Sequence, residues 1–367
     1  MLLSLAGKIG SDFSIPSIVS MRSSFGLYGS YLLAFLNIMQ LVGWATFEIT
    51  ILSKAAGIFI QDFISYHIWS IIFGIIIIIF GIAGPLKVVK QWLNKFAIWI
   101  VYGSIIVILI NIFLFGTGGD QFNNNMADSD SNNDFFSSMD LVIAMPLSWL
   151  PLVADYNRFA KKSKSAFFGT FIGFSITNIL FYVIGLLLGI GDVFSILIAI
   201  QSFFYGFILL ILIVDEIDNV FANIFSSAMS FKNISDRINY KYLVIIFTAI
   251  SCILSNLIPI NQYESFLLLI GALFAPLFAI VLVDYYIVNR RKISIDAFYD
   301  KSSKLKTPAF ISFLAGILTY FMLSPVSPFS FQNFNIGSTI PSMVVSVASL
   351  LSLNYIMKKV KRKKQHH

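Results

Sequence analysis

The stretch Phe207-Ile208-Leu209-Leu210-Ile211-Leu212-Ile213-Val214 leads directly into Asp215-Glu216-Ile217-Asp218-Asn219-Val220-Phe221-Ala222-Asn223. On a helix Asp215, Asn219 and Asn223, spaced four apart, share one face, with Asp218 and Ser226 beside it. A face of that polarity continuing an apolar run cannot point at lipid. An acid at bilayer depth costs on the order of 3 kcal/mol on insertion scales, so acids there mark ion or substrate paths. The blander alternative places Asp215 and Glu216 in a headgroup region.

The rest of the chain bears out a lipid environment. It has 57% hydrophobic and 12% charged residues, against about 25% charged in soluble proteins. Apolar runs of the roughly 20 residues needed to cross a hydrocarbon core recur almost throughout, and they leave no room for a soluble domain. Spans are expected near residues 31–52, 68–86, 96–115, 141–154, 166–189, 203–231, 242–257, 266–288, 309–323 and 340–356, about ten helices by hydropathy. A complete span over 193–214, ending just before the acids, is the alternative for the sixth. The fold class is therefore all-α and polytopic, with 1–367 forming a single transmembrane domain.

Basic residues alternate between the loops. One set holds Lys8 and Arg22, then Lys87, Lys90 and Lys95, then Arg158, Lys161, Lys162 and Lys164, then Lys232, Arg237 and Lys241, and then 290–306 and the tail 358–364. The other set holds Lys54 alone and the acidic, Asn-rich loop around 120–140. Lys and Arg are retained on the cytoplasmic side, so both termini are expected there, in a multi-pass protein of the cytoplasmic membrane. The net charge of +7 reads as this topology signal and not as a nucleic-acid footprint. The basic tail, 358–367, also suits contact with anionic lipid. The segment 116–140, polar and low in complexity, reads as a flexible extracytoplasmic loop.

A single cysteine, Cys252, within an apolar run excludes a disulfide framework and a cysteine metal cluster. His67 lies near a boundary and His366 and His367 end the tail, so no histidine metal site is expected. Residues 1–13 contain Lys8 and lack the layout of a targeting peptide; they read as the end of a helix. No cofactor and no obligate protein partner are implied.

Two further stretches carry candidate chemistry. In Met145-Pro146-Leu147-Ser148-Trp149-Leu150-Pro151 two prolines each remove a backbone donor inside a span, and interrupted helices often mark a transporter's binding site. An ordinary kinked helix is the competing reading. Glu48 follows Trp44 by four residues, placing a carboxyl and an indole on one helical face. A structural Glu paired to a neighbouring helix, with Trp44 as packing, is the alternative there.

At these residues the chain resembles the nucleobase:cation symporter-1 family, the purine-cytosine permeases, and within it the hydroxymethylpyrimidine permease branch. The resemblance is carried by Ser24-Phe25-Gly26 with Gly29-Ser30, Gln40-Leu41-Val42-Gly43-Trp44, Ala154-Asp155-Tyr156-Asn157-Arg158-Phe159-Ala160, and the segment 218–226. It implies a carrier of the five-plus-five inverted-repeat fold, normally of twelve helices, that couples Na⁺ or H⁺ to uptake of bases and related rings. By that resemblance Trp44 stacks on the ring and Glu48 hydrogen-bonds it, Ser148 and Trp149 of a broken helix and Asn219 and Asn223 complete the substrate contacts, and Asp218 with Val214 and Ile217 takes the coupling ion. Asp218 stands where the family has a hydroxyl residue, which leaves Na⁺ and H⁺ both open. The family's first helix and most of its second have no counterpart, so a late start or a truncated gene is expected.

These residues lead to the expectation of a symporter for an aminopyrimidine such as hydroxymethylpyrimidine or cytosine. The ring would lie between Trp44 and Trp149, with Glu48 at its amine edge and Asn223 at the opposite edge. A purine, allantoin or other ring permease is the alternative within the family. An intramembrane metal-dependent enzyme acting on a lipid-linked substrate would use Asp215 and Asp218, but a second Asp-rich cluster to complete its site is missing from the sequence.

Overall fold

The computed structural model describes residues 1–59, 66–84, 98–115, 133–188, 196–198, 200, 207–300, 304–324 and 336–365. All regular structure among them is helical. In chain order the helices are α1 Leu2–Phe13, α2 Ser17–Phe59, α3 Tyr66–Ala83, α4 Ile98–Phe115, α5 Asn133–Ser148, α6 Leu150–Asn157, α7 Ser163–Leu188, α8 Phe207–Ile234, α9 Tyr240–Ser255, α10 Tyr263–Val283, α11 Asp296–Tyr299, α12 Thr307–Leu323 and α13 Thr339–Gln365. A π-turn, Asp284–Val288, ends α10. Every apolar run expected to span the membrane coincides with one of these helices, and the 141–154 run with the broken pair α5–α6. Among the described residues six helices are long and apolar enough to cross a membrane, and three shorter ones are apolar. The alternative span over 193–214 lies largely outside the described residues, and from Phe207 onward α8 runs through the acids to Ile234.

The chain divides into two compact units. One comprises residues 38–129 and 172–262. Within it α2 presents a stripe of Val42, Ala45, Ile49, Leu52 and Ala56, alternating three and four apart, against Phe73 and Ile77 of α3, Val220, Ile224 and Ala228 of α8, and Leu243, Val244 and Phe247 of α9. A second cluster joins Ala55 and Ile58 to Ile105, Ile108 and Ile112 of α4 and Ile184 of α7. Helix α3 is apolar all round, and its outer stripe of Ile71, Ile75 and Ile79 is 58%, 54% and 60% exposed, as a lipid-facing surface requires. Small residues bring α3 and α9 together: a Cβ on Gly81 would fall 2.5 Å from Val244 Cγ1, and one on Gly74 2.6 Å from Cys252 Sγ. The lone cysteine is thus a packing residue, its thiol donating to Ser70 O at 3.4 Å.

The other unit comprises residues 1–37, 130–171 and 263–367. Its helix ends are tied by side chains from distant parts of the chain. Asp155 Oδ1 accepts the Ser17 N–H at 2.9 Å while Ser17 Oγ accepts the Ala154 N–H at 3.0 Å, a reciprocal cap that fixes the start of α2 on α6. Asp140, 1% exposed, accepts the N–H groups of Ser338 at 2.6 Å and Thr339 at 3.0 Å and caps α13. This corrects the expected loop over 116–140: residues 133–140 belong to α5, because Asp140 is needed as an interior cap, and 116–132 lie outside the described residues. The tail expected over 358–367 continues α13 as helix to Gln365, with 366–367 outside the described residues.

Helix α2 breaks at Gly26, whose φ of 77° and ψ of 177° only glycine adopts readily. The backbone groups released there are taken up by the segment before α12: Lys306 N–H donates to Phe25 O at 3.1 Å and Tyr28 N–H to Lys304 O at 2.7 Å. Lys306 Nζ also bonds Ser23 O. Beyond this clamp, Gly316 of α12 lets three helices meet, since a Cβ there would collide with Ser346 Oγ of α13 and come within 2.5 Å of Pro276 Cβ of α10.

Gly316→Val is therefore expected to lower thermal stability in detergent by roughly 1–3 kcal/mol, the range for overpacked interiors. Gly103→Val, where a Cβ meets nothing within 4 Å, should leave the melting temperature unchanged. Equal melting curves for the two variants would contradict the packing described.

Candidate functional site

The polar residues singled out from the sequence fall mainly on two helices of the 38–129 and 172–262 unit, α2 and α8. Trp44, Glu48, Asp218 and Asn223 are only 7%, 8%, 8% and 5% exposed, so a carboxylate on each helix is enclosed by protein. Such groups are tolerable only where hydrogen bonds replace lost solvent.

Glu48 finds its partner on α8. Asn223 Nδ2 donates to Glu48 Oε1 at 3.0 Å and to Oε2 at 2.8 Å. This contact fixes the Asn223 amide with its nitrogen toward the acid and its carbonyl oxygen away. The two residues expected at opposite edges of a ring thus form one acid–amide pair. The pair sits on a well-formed scaffold, with Thr46 and Ser227 hydroxyls bonded to the carbonyls four residues earlier, Val42 and Asn223, and Ala45, Ile49, Val220 and Ile224 packed in the adjoining core.

Along α8, Asn219 lies one turn before Asn223 and is half-buried. Glu216 and Asp215 are also the carboxylates within electrostatic reach of Glu48. Asp215 was expected on the polar face of α8 but not among the site residues, and Glu216 was not singled out, a headgroup position being the alternative for both. The overlooked signal was spacing: Glu216, Asn219 and Asn223 follow one another at three and four residues, as one face requires.

The expected ion residues occupy another side of the same helix. Val214 and Asp218 are one turn apart, and the Ile217 side chain is part of the apolar core, so only its backbone carbonyl is available as a ligand. Among the described residues no three acidic, histidine or cysteine side chains are grouped to hold a metal ion.

Ser148 and Trp149 belong to the other unit. The helix breaks there as the prolines dictate: α5 ends at Ser148, Trp149 adopts φ −83° and ψ −15°, and α6 follows with Pro151 in its first turn. Pro146 and Pro151 cannot donate to the carbonyls of Val142 and Leu147. Ser148 Oγ donates to Met145 O at 2.6 Å, and Trp149 O accepts from Leu152 and Val153 at 3.2 and 2.9 Å. The broken helix is thus internally supported through Ser148.

A bundle of apolar helices with acids enclosed on α2 and α8 and a helix broken at paired prolines defines a membrane transporter. The chain belongs to the family of permeases for cytosine/purines, uracil, thiamine and allantoin, whose model matches residues 1–344. It is 25% identical to the allantoin permease of Bacillus subtilis (strain 168), across 82% of this chain and 69% of that one. Its fold is similar to Mhp1, a nucleobase-cation-symport-1 family transporter, in a closed conformation with bromovinylhydantoin bound. That match has a TM-score of 0.70 and 16% identity, and covers 98% of this chain and 83% of that one. It is similar to the inward-facing conformation of Mhp1 with TM-score 0.70, 18% identity, and 98% and 81% coverage. A Na⁺-coupled sialic acid symporter shares the fold at TM-score 0.62 and 13% identity, over 95% of this chain and 81% of that one. The protein is thus a multi-pass transporter of small heterocycles with the inverted-repeat fold, and not an enzyme.

Asn223→Ala leaves Glu48 enclosed without its amide donor and is expected to destabilise the protein by roughly 1–3 kcal/mol. Adding Glu48→Ala should recover part of that loss. A double-mutant cycle on detergent melting temperatures checks the pair, and strictly additive effects would show that the contact contributes nothing.

Proposed function

We propose that the protein is a cation symporter that imports an aminopyrimidine, such as hydroxymethylpyrimidine or cytosine, across the cytoplasmic membrane, with both chain termini on the cytoplasmic side. The observation that carries this reading is the enclosed Glu48–Asn223 pair one turn from Trp44. Because Asn223 directs its N–H toward the acid, the pair offers carboxylate lone pairs and the Asn223 carbonyl oxygen, all acceptors. A ring edge rich in N–H donors, as an aminopyrimidine presents, fits it with charge-assisted hydrogen bonds.

Trp44 supplies a flat face, and base–aromatic stacking contributes about 1–3 kcal/mol per ring. Ser148 and Trp149 at the α5–α6 break, and Asn219 on α8, are the further substrate contacts that the family resemblance implies. Asp218 with the carbonyls of Val214 and Ile217 holds the coupling cation, Na⁺ or H⁺. Cation binding there favours the conformation that accepts substrate, which is how an ion gradient drives accumulation. The alternating basic loops support the orientation. A second reading, an allantoin-like ureide, draws on the Bacillus subtilis relative; such a ligand also presents N–H donors but lacks the flat aromatic face that Trp44 favours.

In cells or proteoliposomes, Trp44→Ala and Glu48→Gln should each abolish saturable uptake of labelled cytosine or hydroxymethylpyrimidine at unchanged expression. Full uptake in both variants would refute the site. Wild-type uptake should follow an imposed Na⁺ or pH gradient, and Asp218→Asn should remove that dependence. Gradient-driven uptake persisting in Asp218→Asn would take the coupling role away from Asp218.

A further inference from the structure

Helix α6 is only eight residues long, with Trp149 at its head. Its first turn closes on Trp149, whose carbonyl accepts the Leu152 and Val153 N–H groups at 3.2 and 2.9 Å, so the Trp149 backbone is part of the α6 unit. Toward α5 the connection is loosened, because Pro146 and Pro151 leave the carbonyls of Val142 and Leu147 without their helical donors. The other end is held by three sets of contacts. Asp155 and Ala154 make the reciprocal cap with Ser17, at 2.9 and 3.0 Å, and Asp155 and Ser17 are each 1% exposed. Against α1 there is no spare volume: a Cβ on Gly10 would lie 2.4 Å from Ala154 Cβ, and one on Gly7 2.2 Å from Asn157 Nδ2. Asn157 Nδ2 in turn donates to Thr170 Oγ1 of α7 at 2.9 Å. Asp155 follows Trp149 by about 9 Å along the axis, at 1.5 Å per residue, so one short rigid rod joins the anchored end to the indole.

We propose that Asp155 is a positioning residue: through its reciprocal cap with Ser17 it fixes the place of Trp149 and thereby sets the affinity for the ring. This rests on the reading that Trp149 meets the substrate. A binding group has to be held to about 0.5 Å by the residues that support it, and α5 cannot supply that support across the paired prolines. When the Asp155 carboxyl is removed, α6 keeps its own helical bonds, but the enclosed Ser17 N–H loses its acceptor. A buried donor without an acceptor is costly, and a shift of α6 against the start of α2 relieves it. The indole at the head of α6 shifts with it.

Trp149 is followed by fluorine NMR of the full chain carrying fluorotryptophan, its line assigned by its loss in Trp149→Phe, and affinity by KM for labelled cytosine in proteoliposomes. Asp155→Ala should move the Trp149 line and raise KM roughly ten-fold, as weakening one ring stack does. Asp155→Asn, which keeps an accepting oxygen for the Ser17 N–H, should leave both unchanged. Ser17→Ala, which removes a single hydroxyl, should act in the same direction as Asp155→Ala and combine with it less than additively. Gly10→Ala, which presses α6 away from α1 and leaves the cap groups in place, should also move the line and raise KM. Gly316→Val, which overpacks other helices of the same unit, should lower the melting temperature and leave KM unchanged. An unmoved Trp149 line in Asp155→Ala overturns the proposal whatever the cargo. So does a moved line with unchanged KM, or Asp155→Asn behaving as Asp155→Ala. If Asp155→Ala fails to fold, Ser17→Ala and Gly10→Ala decide by the same two measurements. A wild type that takes up no cytosine refutes the cargo reading, and the Trp149 line alone then decides whether Asp155 positions the indole.

Discussion

Asn223 holds both oxygens of Glu48, and that contact makes a carboxylate sustainable amid the stripe of Val42, Ala45, Ile49 and Leu52. In lipid no water is available to satisfy a polar group, so each one must find its partner within the protein. The same demand organises the rest. The N–H groups at the start of α2 go to Asp155, those at the start of α13 to Asp140, and those released at Gly26 to the segment 304–306. On α8 the same demand is met for Asn223 by Glu48 across the helix interface.

The helices were legible in the sequence because lipid leaves only one local solution for long apolar runs, and the break at Trp149 was legible because Pro146 and Pro151 remove donors wherever they stand. Trp44, Glu48 and Asn223 stood out as polar or aromatic groups at helical spacing within apolar segments. Asp155 was visible only as part of a family string and Asp140 only as part of a polar loop, since their work is done on backbone groups 138 and 198 residues away. No local pattern encodes such a pairing. The Gly26 break was hidden for a related reason: a glycine permits a left-handed conformation without announcing it. Glu216 was passed over because an acid near the start of a polar stretch looks like a headgroup residue until α8 proves continuous across it.

The family relationship and these contacts bear on different questions. Membership, shown by the family model over residues 1–344, fixes the type of machine, and the solved structures at 13–18% identity share the fold. At that distance the fold says little about cargo. Cargo has to be read from the side chains that line the path, among them the Glu48–Asn223 pair of α2 and α8.

The Glu48–Asn223 pair spans 175 residues of sequence, and that separation sets an order of assembly during synthesis. Helix α2 leaves the ribosome carrying Glu48 long before α8 exists to supply the amide. Helix α8 in turn brings Asp215, Glu216 and Asp218 to a lipid interface that disfavours each of them, at about 3 kcal/mol apiece on insertion scales. Neither helix is at ease in the bilayer alone. The contact between Glu48 and Asn223 can therefore close only after α8 has been made and inserted.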